Sequence, residues 1–580
     1  MTIKKLNDAW YAFFLKYNNP ISITLLLIAI VFGLIMALNH AWVNDDAFIS
    51  FRYAENLLNG NGLVFNAGER VEGYTNFSWT LWCALGLRIG IDAEAWSIFW
   101  GVVFYAGSLV LLALHHFHRR NKWGITGFAI PVASILATAH TDWHVYATGG
   151  LETSLFTFLV LAGYVLLIDG KNVLTAGFVF SLASLTRPDG VLFMGLAGLY
   201  VLLTCLPAIR PALLFALPCI IILIPFELWR FAYYGDWLPN TYYAKSAGLH
   251  WYSQGLIYTW LYFLKYWVLL LGFPLVLLAW WYDRHRHDRS QRMGFMDSFM
   301  EIGLAAAFAL VYTFYVIRIG GDFMYARLLI PVTPFYLLLI EYGLVRFTGK
   351  RPFIQTAAIV TMFVVIFSMR SPFQDNTPIS GIVDEWQYYN NPLFKEVPKT
   401  TGMTLREWFK DLPVRIAFLG SEARMVYYSK VPIAIESEAG LTDRFIAHQQ
   451  LMRRGRIGHE KPAPASYLIT QRKVHFVFHP YAIQMLKWDK AIPIVPISLG
   501  ELKGFMLHWD PKVLTVLKER GAIFQDFPTF LDMQIKQLDS MSDEMVRQQY
   551  DKIKRFYFDH VSDSKRERPF LERLSLIDRP

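Results

Sequence analysis

The sequence predicts a polytopic α-helical membrane protein carrying a soluble α/β domain at its C-terminal end. Hydrophobic residues make up 54% of the chain and charged residues only 17%, against roughly 25% charged in an ordinary soluble protein. The apolar residues also gather in runs close to the ~20 residues that cross a bilayer core. Beyond residue 370 those runs stop, and short β-like stretches alternate with amphipathic ones.

Taken in order, the candidate spans are 21–38, 95–117, 124–139, 151–168, 173–186, 190–206, 211–229, 256–281, 299–318, 325–345 and 353–369, about eleven crossings at the expected length. The first run has no small-residue cleavage site after it, so it reads as a retained span and not a signal peptide. Lys4, Lys5 and Lys16 precede it; Arg119, Arg120 and Lys122, then Arg284, Arg286, Arg289 and Arg292, then Arg346, Lys350 and Arg351 follow in alternate loops. Basic residues mark cytoplasmic loops, which puts the N-terminus inside and, with an odd span count, the tail outside the cytoplasmic membrane of a bacterium. Residues 77–90 are too short to cross and would put 115–122 on the wrong side, so they read as an interfacial element. The expected organisation is therefore a membrane domain over 1–370, with its first outer loop at 39–94, and an extracytoplasmic domain over 371–580. In that domain, 414–419 and 474–478 have strand character, and 539–574 is charged and helical.

The net charge of +9 sits in loops between spans, where it signals topology; nucleic acid is not an expected partner. Cys83, Cys205 and Cys219 show no CxxC or Cys/His spacing, so neither a disulfide framework nor a zinc site is indicated.

On this topology the unusual polar residues converge on the outer boundary. Asp45 and Asp46 follow the first span. A carboxylate ahead of a helical run is first of all an N-cap, but a cap needs only one of the pair, and the other remains as a base, with a slight preference for Asp45. If 47–58 is helical, Arg52 falls seven positions after Asp45 on the same face, and Asn59-Gly60-Asn61-Gly62 ends that helix. Glu72, Tyr74 and Asn76 close the same loop. His140, Asp142, Trp143 and His144 lie at one end of the next outer segment and Glu152 at the other. Arg187-Pro188-Asp189-Gly190 has the chemistry of a turn. Asn240, Tyr242 and Tyr243 occupy a later loop, and Asp322 another.

Arg230, Lys245, Lys265, Arg318 and Arg327 lie near outer span ends, where basic residues are scarcest. An anionic headgroup compensates such a set: Arg grips phosphate oxygens in a fork and Lys as a point charge. Lys265 reads as two to three turns inside its span, a costly position that usually marks a ligand or ion path; the bland alternative for any single member of the set is snorkelling or pairing with Asp322, Asp236 or Glu152. His140, Asp142, His144 and Glu152 either hold a divalent cation or form a polar network. Tyr74, Trp143, Tyr242 and Tyr243 stand where sugar rings stack. A phosphate pocket beside a carboxylate suits transfer from a lipid-linked phosphosugar, with the acid taking a hydroxyl proton.

Several motifs then carry a resemblance. Asp45-Asp46-Ala47-Phe48-Ile49-Ser50-Phe51-Arg52-Tyr53, Gly62-Leu63-Val64-Phe65-Asn66, Glu69-Arg70-Val71-Glu72-Gly73-Tyr74-Thr75-Asn76, Gly150-Leu151-Glu152-Thr153, Arg187-Pro188-Asp189-Gly190 and Gly320-Gly321-Asp322-Phe323-Met324 resemble the GT-C membrane glycosyltransferases related to the mycobacterial terminal β-(1→2)-arabinofuranosyltransferase. Gly440-Leu441-Thr442-Asp443 and Gly458-His459-Glu460-Lys461 extend the resemblance into the tail. It implies a GT-C fold, a polyprenyl-phosphate sugar donor such as polyprenyl-phosphoryl-arabinofuranose, an envelope glycan acceptor, and an essential acid in the first outer loop, which falls here on Asp45 or Asp46. The outer domain either binds the acceptor or caps the site, with Glu436, Glu438, Asp443, His459 and Glu460 as its polar candidates. A transporter or lipid flippase would instead place charges at the bilayer midplane and show internal repeats. A protein O-mannosyltransferase-like enzyme is the third alternative.

Overall fold

The computed structural model describes residues 3–119, 130–286, 292–348, 351–375, 377–478 and 495–577. The chain divides into two units: Met1–Ala54, Thr75–Trp237 and Ala247–Asn391 form the first, and Glu55–Tyr74, Leu238–Ser246 and Pro392–Pro580 the second. Residues 371–391 thus join the membrane unit, while 55–74 of the first outer loop fold with the tail.

The first unit is helical. Its elements are α1 (Ile3–Asn39), α2 (Ala47–Leu58), α3 (Phe77–Arg88), α4 (Ala93–Arg119), α5 (Val132–Ala137), α6 (Thr141–Thr148), α7 (Thr153–Ile168), α8 (Val173–Thr186), α9 (Gly190–Cys205) and α10 (Arg210–Tyr234). After α11 (Asn240–Ala244), which belongs to the second unit, come α12 (Tyr252–Lys265), α13 (Gly272–Arg286), α14 (Arg292–Ile319), α15 (Thr333–Thr348), α16 (Pro352–Ser368) and α17 (Glu385–Tyr389). Among the described residues, five helices are long and apolar enough to cross a membrane: Pro20–Asn39, Ala93–Arg119, Arg210–Tyr234, Phe299–Ile319 and Arg327–Thr348. Two bent pairs raise the count to seven. The expected eleven therefore include shorter apolar helices, among them α8, α9 and α16, and the expected span at 124–139 lies outside the described residues up to 129. The cations Arg120, Lys122, Arg289 and Lys350 lie outside them as well.

One expected span is different in kind. The run at 256–281 is not a straight crossing: α12 ends at Lys265, a 3₁₀ turn follows at Trp267–Leu271, and the two halves meet at 91°. Lys265 is the last residue of α12, buried at the break between the two halves. α3, at 12 residues, is too short to cross, in keeping with its expected interfacial placement. Close approach shapes the bundle elsewhere: a Cβ on Gly101 of α4 would stand 2.0 Å from the Ala147 carbonyl oxygen of α6, so only glycine lets these helices touch. α15 runs through the core of this unit and is buried from Thr333 to Val345. Its Glu341 accepts the Ala133 N–H at 2.7 Å and pairs with His116 at 3.2 Å.

The second unit is α/β, as the tail's alternation predicts. A six-stranded sheet runs in the order β2-β1-β3-β5-β4-β6, with β1 (Arg415–Phe418), β2 (Ile433–Glu436), β3 (Phe476–Val477), β4 (Val495–Leu499), β5 (Leu502–Met506) and β6 (Ile523–Phe524). β2, β1 and β3 are parallel, and the β3–β5, β4–β5 and β4–β6 pairs are antiparallel. Helices α18 (Pro392–Trp408), α19 (Ala423–Ser429) and α20 (Arg444–Ala447) accompany it, and the charged end forms helices at Asp543–Ile553 and Ser564–Ile577. The first-loop segment is stitched to this sheet by Asn66, whose side chain imitates a neighbouring strand: Oδ1 accepts the Ala434 N–H at 2.8 Å and Nδ2 donates to the Ala434 carbonyl at 3.0 Å.

Candidate active site

The helix that carries the acid pair is α2, with the bounds that its flanking residues predict. Its first turn closes through Ala47, Phe48 and Ile49 N–H groups donating to the carbonyls of Asn44, Asp45 and Asp46. Asn44, which sequence reasoning missed, supplies a side-chain acceptor here, taking the Asp46 N–H at 2.8 Å, and its amide donates to Glu385 at 3.2 Å. Asp45 is 3% exposed, Asp46 is half-buried, and Arg52 is buried on the same helix.

Six of the expected residues converge in one network of the membrane unit. Glu152, at the start of α7, accepts from Arg187 at 2.9 Å, Arg327 at 3.0 Å and Asn76 at 2.9 Å. Arg187 also grips Asp189 at 2.9 Å across the tight turn, which closes by Gly190 N–H donating to the Arg187 carbonyl. Arg327 reaches Asp322 at 3.6 Å, and Asp46 is close enough for its charge to act on that guanidinium. Ser50 of α2 donates to Asn76 at 3.1 Å, which ties the acid-bearing helix to the network. Tyr312, in the middle of an apolar helix, donates to Asp189 at 2.5 Å; nothing in its sequence surroundings marks it.

A second cluster holds Lys265, whose ammonium donates to both oxygens of Asp142 at 3.1 and 3.0 Å. Lys265 thus pairs with Asp142, an acid outside the expected partners, whereas Arg327 pairs with two of those expected, Glu152 at 3.0 Å and Asp322 at 3.6 Å. His140 stacks on Tyr266 at 3.8 Å between ring centres. Its Nδ1 accepts the Trp143 N–H at 3.1 Å, so the proton sits on Nε2, which faces the Tyr262 hydroxyl at 3.0 Å. Both His140 ring nitrogens are thus engaged, Asp142 is paired with Lys265, and Glu152 belongs to the first network. The expected cations differ in their partners: Arg230 pairs with Glu227 at 2.6 Å, and Arg318 is exposed at the end of α14.

The other expected residues belong to the second unit and bind its parts together. The Asn240 side-chain amide donates to the Gly440 and Leu441 carbonyls at 2.8 and 3.0 Å, and its N–H donates to the Glu72 carbonyl at 2.9 Å. Tyr243 stacks on His448 at 4.0 Å, and its carbonyl accepts from Lys461 at 2.6 Å. Tyr74 is buried and Lys245 half-buried. Burial pushes the Glu436 carboxyl up, although backbone N–H groups of Leu441 and Glu438 hold its charge. Burial works the same way on Glu438, but the His459 ring, 2.8 Å away, outweighs it and keeps that carboxyl low. Glu460 pairs with Arg454 at 3.2 Å. Among the described residues, His475, His508 and Asp510 are the side chains close enough to share an ion. There His475 Nδ1 accepts the Arg415 N–H at 3.0 Å, so Nε2 carries the proton and points it at Asp510, 3.3 Å away.

No family model matches the chain. It is 31% identical over 340 residues to the terminal β-(1→2)-arabinofuranosyltransferase of Corynebacterium glutamicum, covering 52% of this chain and 48% of that protein. The protein of the same name from Mycobacterium tuberculosis is 29% identical over 333 residues, 52% of each chain. The chain spans about half the length of the curated relatives it matches. Its fold is like that of ArnT from Cupriavidus metallidurans, whose crystal structure in the apo state aligns over 83% of this chain and 97% of that one at 12% identity, with a TM-score of 0.50. The chain is therefore similar in sequence, over about half its length, to two proteins named terminal β-(1→2)-arabinofuranosyltransferase, and similar in fold to ArnT, with several helices long and apolar enough to cross a membrane.

Proposed function

We propose that this protein is a glycosyltransferase that moves an arabinofuranosyl residue from a polyprenyl-phosphate donor to a hydroxyl of an envelope glycan. The reaction takes place at the outer face of the bacterial cytoplasmic membrane, with the N-terminus inside and the α/β unit outside. One observation carries the reading: a buried Asp45 beside Asp46 at the start of α2, tied through Ser50 and Asn76 to the Arg187–Glu152–Arg327 network, in a chain whose relatives are named for that transfer.

In the step, one of the two aspartates takes the acceptor hydroxyl's proton as the new glycosidic C–O bond forms. The anomeric C–O bond to phosphate breaks and prenyl phosphate leaves with the electron pair. The cations Arg52, Arg230, Lys245, Lys265, Arg318 and Arg327 are the candidates to hold that phosphate. Arg327 already holds Glu152 at 3.0 Å and Lys265 holds Asp142 at 3.0 Å, so these two are the members least available to it.

Purified protein is to be given polyprenyl-phosphoryl-arabinofuranose and an arabinan acceptor, with Asp45→Asn and Asp46→Asn assayed separately. General base loss is expected to cut turnover by about 10²–10⁴ in one of them. Full turnover in both variants removes the base assignment. Absence of transfer by the wild type, with only ordinary phospholipid co-purifying, removes the reading itself.

A further inference from the structure

A cavity of about 540 Å³ opens in the second unit, walled by residues 69–71 of the first-loop segment, by the turn into α20 and by the 467–472 stretch. Its polar wall is a fixed chain of side chains. Arg472 donates to both oxygens of Glu69 at 2.7 Å and lies 3.1 Å from Asp443 on its other side. Tyr467 donates to Asp443 at 2.9 Å, and Asp443 in turn accepts the Ile446 N–H that starts α20. The Glu69 end is held by Asn66, which donates to it at 3.1 Å while paired with the backbone of β2.

Against this wall stands an aromatic surface. Phe445 is 51% exposed and stacks on Tyr467 with ring centres 4.3 Å apart and planes 24° from parallel. Burying a phenylalanine is favourable, and here the ring lies open at the cavity, held flat by its neighbour. The charges nearly balance, with Arg70, Arg444 and Arg472 facing Glu69 and Asp443, so the cavity does not select a strong anion. A neutral sugar ring matches it: its C–H face packs on the aromatic ring and its hydroxyl rim meets donors and acceptors already fixed in place. The volume lies within the roughly 300–1,000 Å³ of small-molecule sites, room for a short run of sugar rings.

We propose that this cavity is a binding subsite for a neutral glycan chain, with Phe445 as its stacking platform and the Glu69–Arg472–Asp443 chain as its hydroxyl-reading wall. That the bound glycan is the acceptor rests on the transferase reading; that a glycan binds there does not. Full-length protein in detergent, without donor, is to be titrated calorimetrically with an arabino-oligosaccharide. Phe445→Ala, at an exposed position, is expected to weaken binding about tenfold, and Phe445→Trp to keep it. In the transfer assay, Phe445→Ala is expected to raise KM for a long acceptor and leave kcat and the KM of a single-sugar acceptor unchanged. Oligosaccharide binding equal in wild type and Phe445→Ala overturns the subsite, as does no binding by the wild type at millimolar concentration. If the wild type transfers nothing yet still binds glycan through Phe445, the transferase reading falls and the subsite stands.

Discussion

Glu152→Gln tests the network beside the acid pair most directly. Glu152 is 3% exposed and is shared by two guanidinium groups and the Asn76 amide. Glutamine has the same shape and still offers an acceptor to Asn76, but it removes the charge and turns an NH₂ group toward Arg. Arg187 keeps Asp189 at 2.9 Å, whereas Arg327 is left with Asp322 at 3.6 Å. Breaking a buried ion pair from one side costs about 3–5 kcal/mol, and the retained partners place this substitution at the low end, about 3 kcal/mol. The measurement is reversible unfolding in bicelles, run as a double-mutant cycle with Arg327→Met. If Glu152 is the principal partner of Arg327, the methionine substitution costs at least ~1 kcal/mol less in the Gln background than in the wild type. A Glu152→Gln cost below ~0.5 kcal/mol, or strict additivity, would refute the reasoning, since that is how an exposed pair behaves.

Acid should loosen the second unit before it protonates most carboxylates. Burial lowers the pKa of His475, His508 and His560, that of His508 to about 3; the unfolded chain then binds the extra protons, and stability is lost as pH falls below about 6.5. For buried His508 alone this is about 2 kcal/mol at pH 5, and pulse proteolysis in urea at pH 7.5 and 5 should show the loss shrink in His508→Gln. Asn66→Ala leaves the buried Ala434 N–H without its acceptor and should cost about 1–3 kcal/mol; Asn66→Asp keeps that acceptor but sets a carboxylate oxygen against the Ala434 carbonyl and Glu69, and should cost at least as much in the same assay. Gly440→Ala places a Cβ 2.4 Å from the Ala447 nitrogen at a φ of +75°, and a loss of more than about 2 kcal/mol is expected from the strained conformation and the backbone clash together; a loss under 0.5 kcal/mol would mean the turn yields easily.

What the sequence made legible was local. The bounds of α2 follow from an apolar run that begins at Ala47 and stops at Asn59-Gly60, and the tight turn at Arg187 follows from its Pro and Gly. The β1 and β3 positions follow from short β-branched and aromatic runs. The break directly after Lys265 has no proline or glycine beside it, Gly272 and Pro274 standing only where the next helix begins; it coincides with the Lys265–Asp142 pair, 123 residues apart, and with Tyr266 stacked on His140. Hydropathy averaged over a window passes smoothly across such a point. The membership of 55–74 in the second unit was equally hidden, because it depends on contacts far apart in sequence: Asn66 against Ala434, Glu69 with Arg472 and Glu55 with Lys430. Long-range pairing, and not local propensity, decided these cases.

The outer cations also take on a different meaning once their partners are known. They suggested an anionic headgroup because basic residues are scarcest at outer span ends, but Arg230, Arg327 and Lys265 each have a carboxylate within the chain. Glu152, Asp189 and Asp322 outnumber Arg187 and Arg327, and Asp45 and Asp46 add to the excess of negative charge. The same excess opposes an incoming phosphate, so the donor needs positive charge beyond this network. Arg318 ends α14 in an exposed position four residues before Asp322, where its removal should cost stability little, within about 0.5 kcal/mol. Arg318→Ala should therefore raise the donor KM roughly three- to tenfold, in line with an exposed charge-assisted contact, with kcat and the unfolding midpoint held. A donor KM equal to that of the wild type at low salt would remove Arg318 from the phosphate-binding set and leave the burden on Arg52, Arg230 and Lys245.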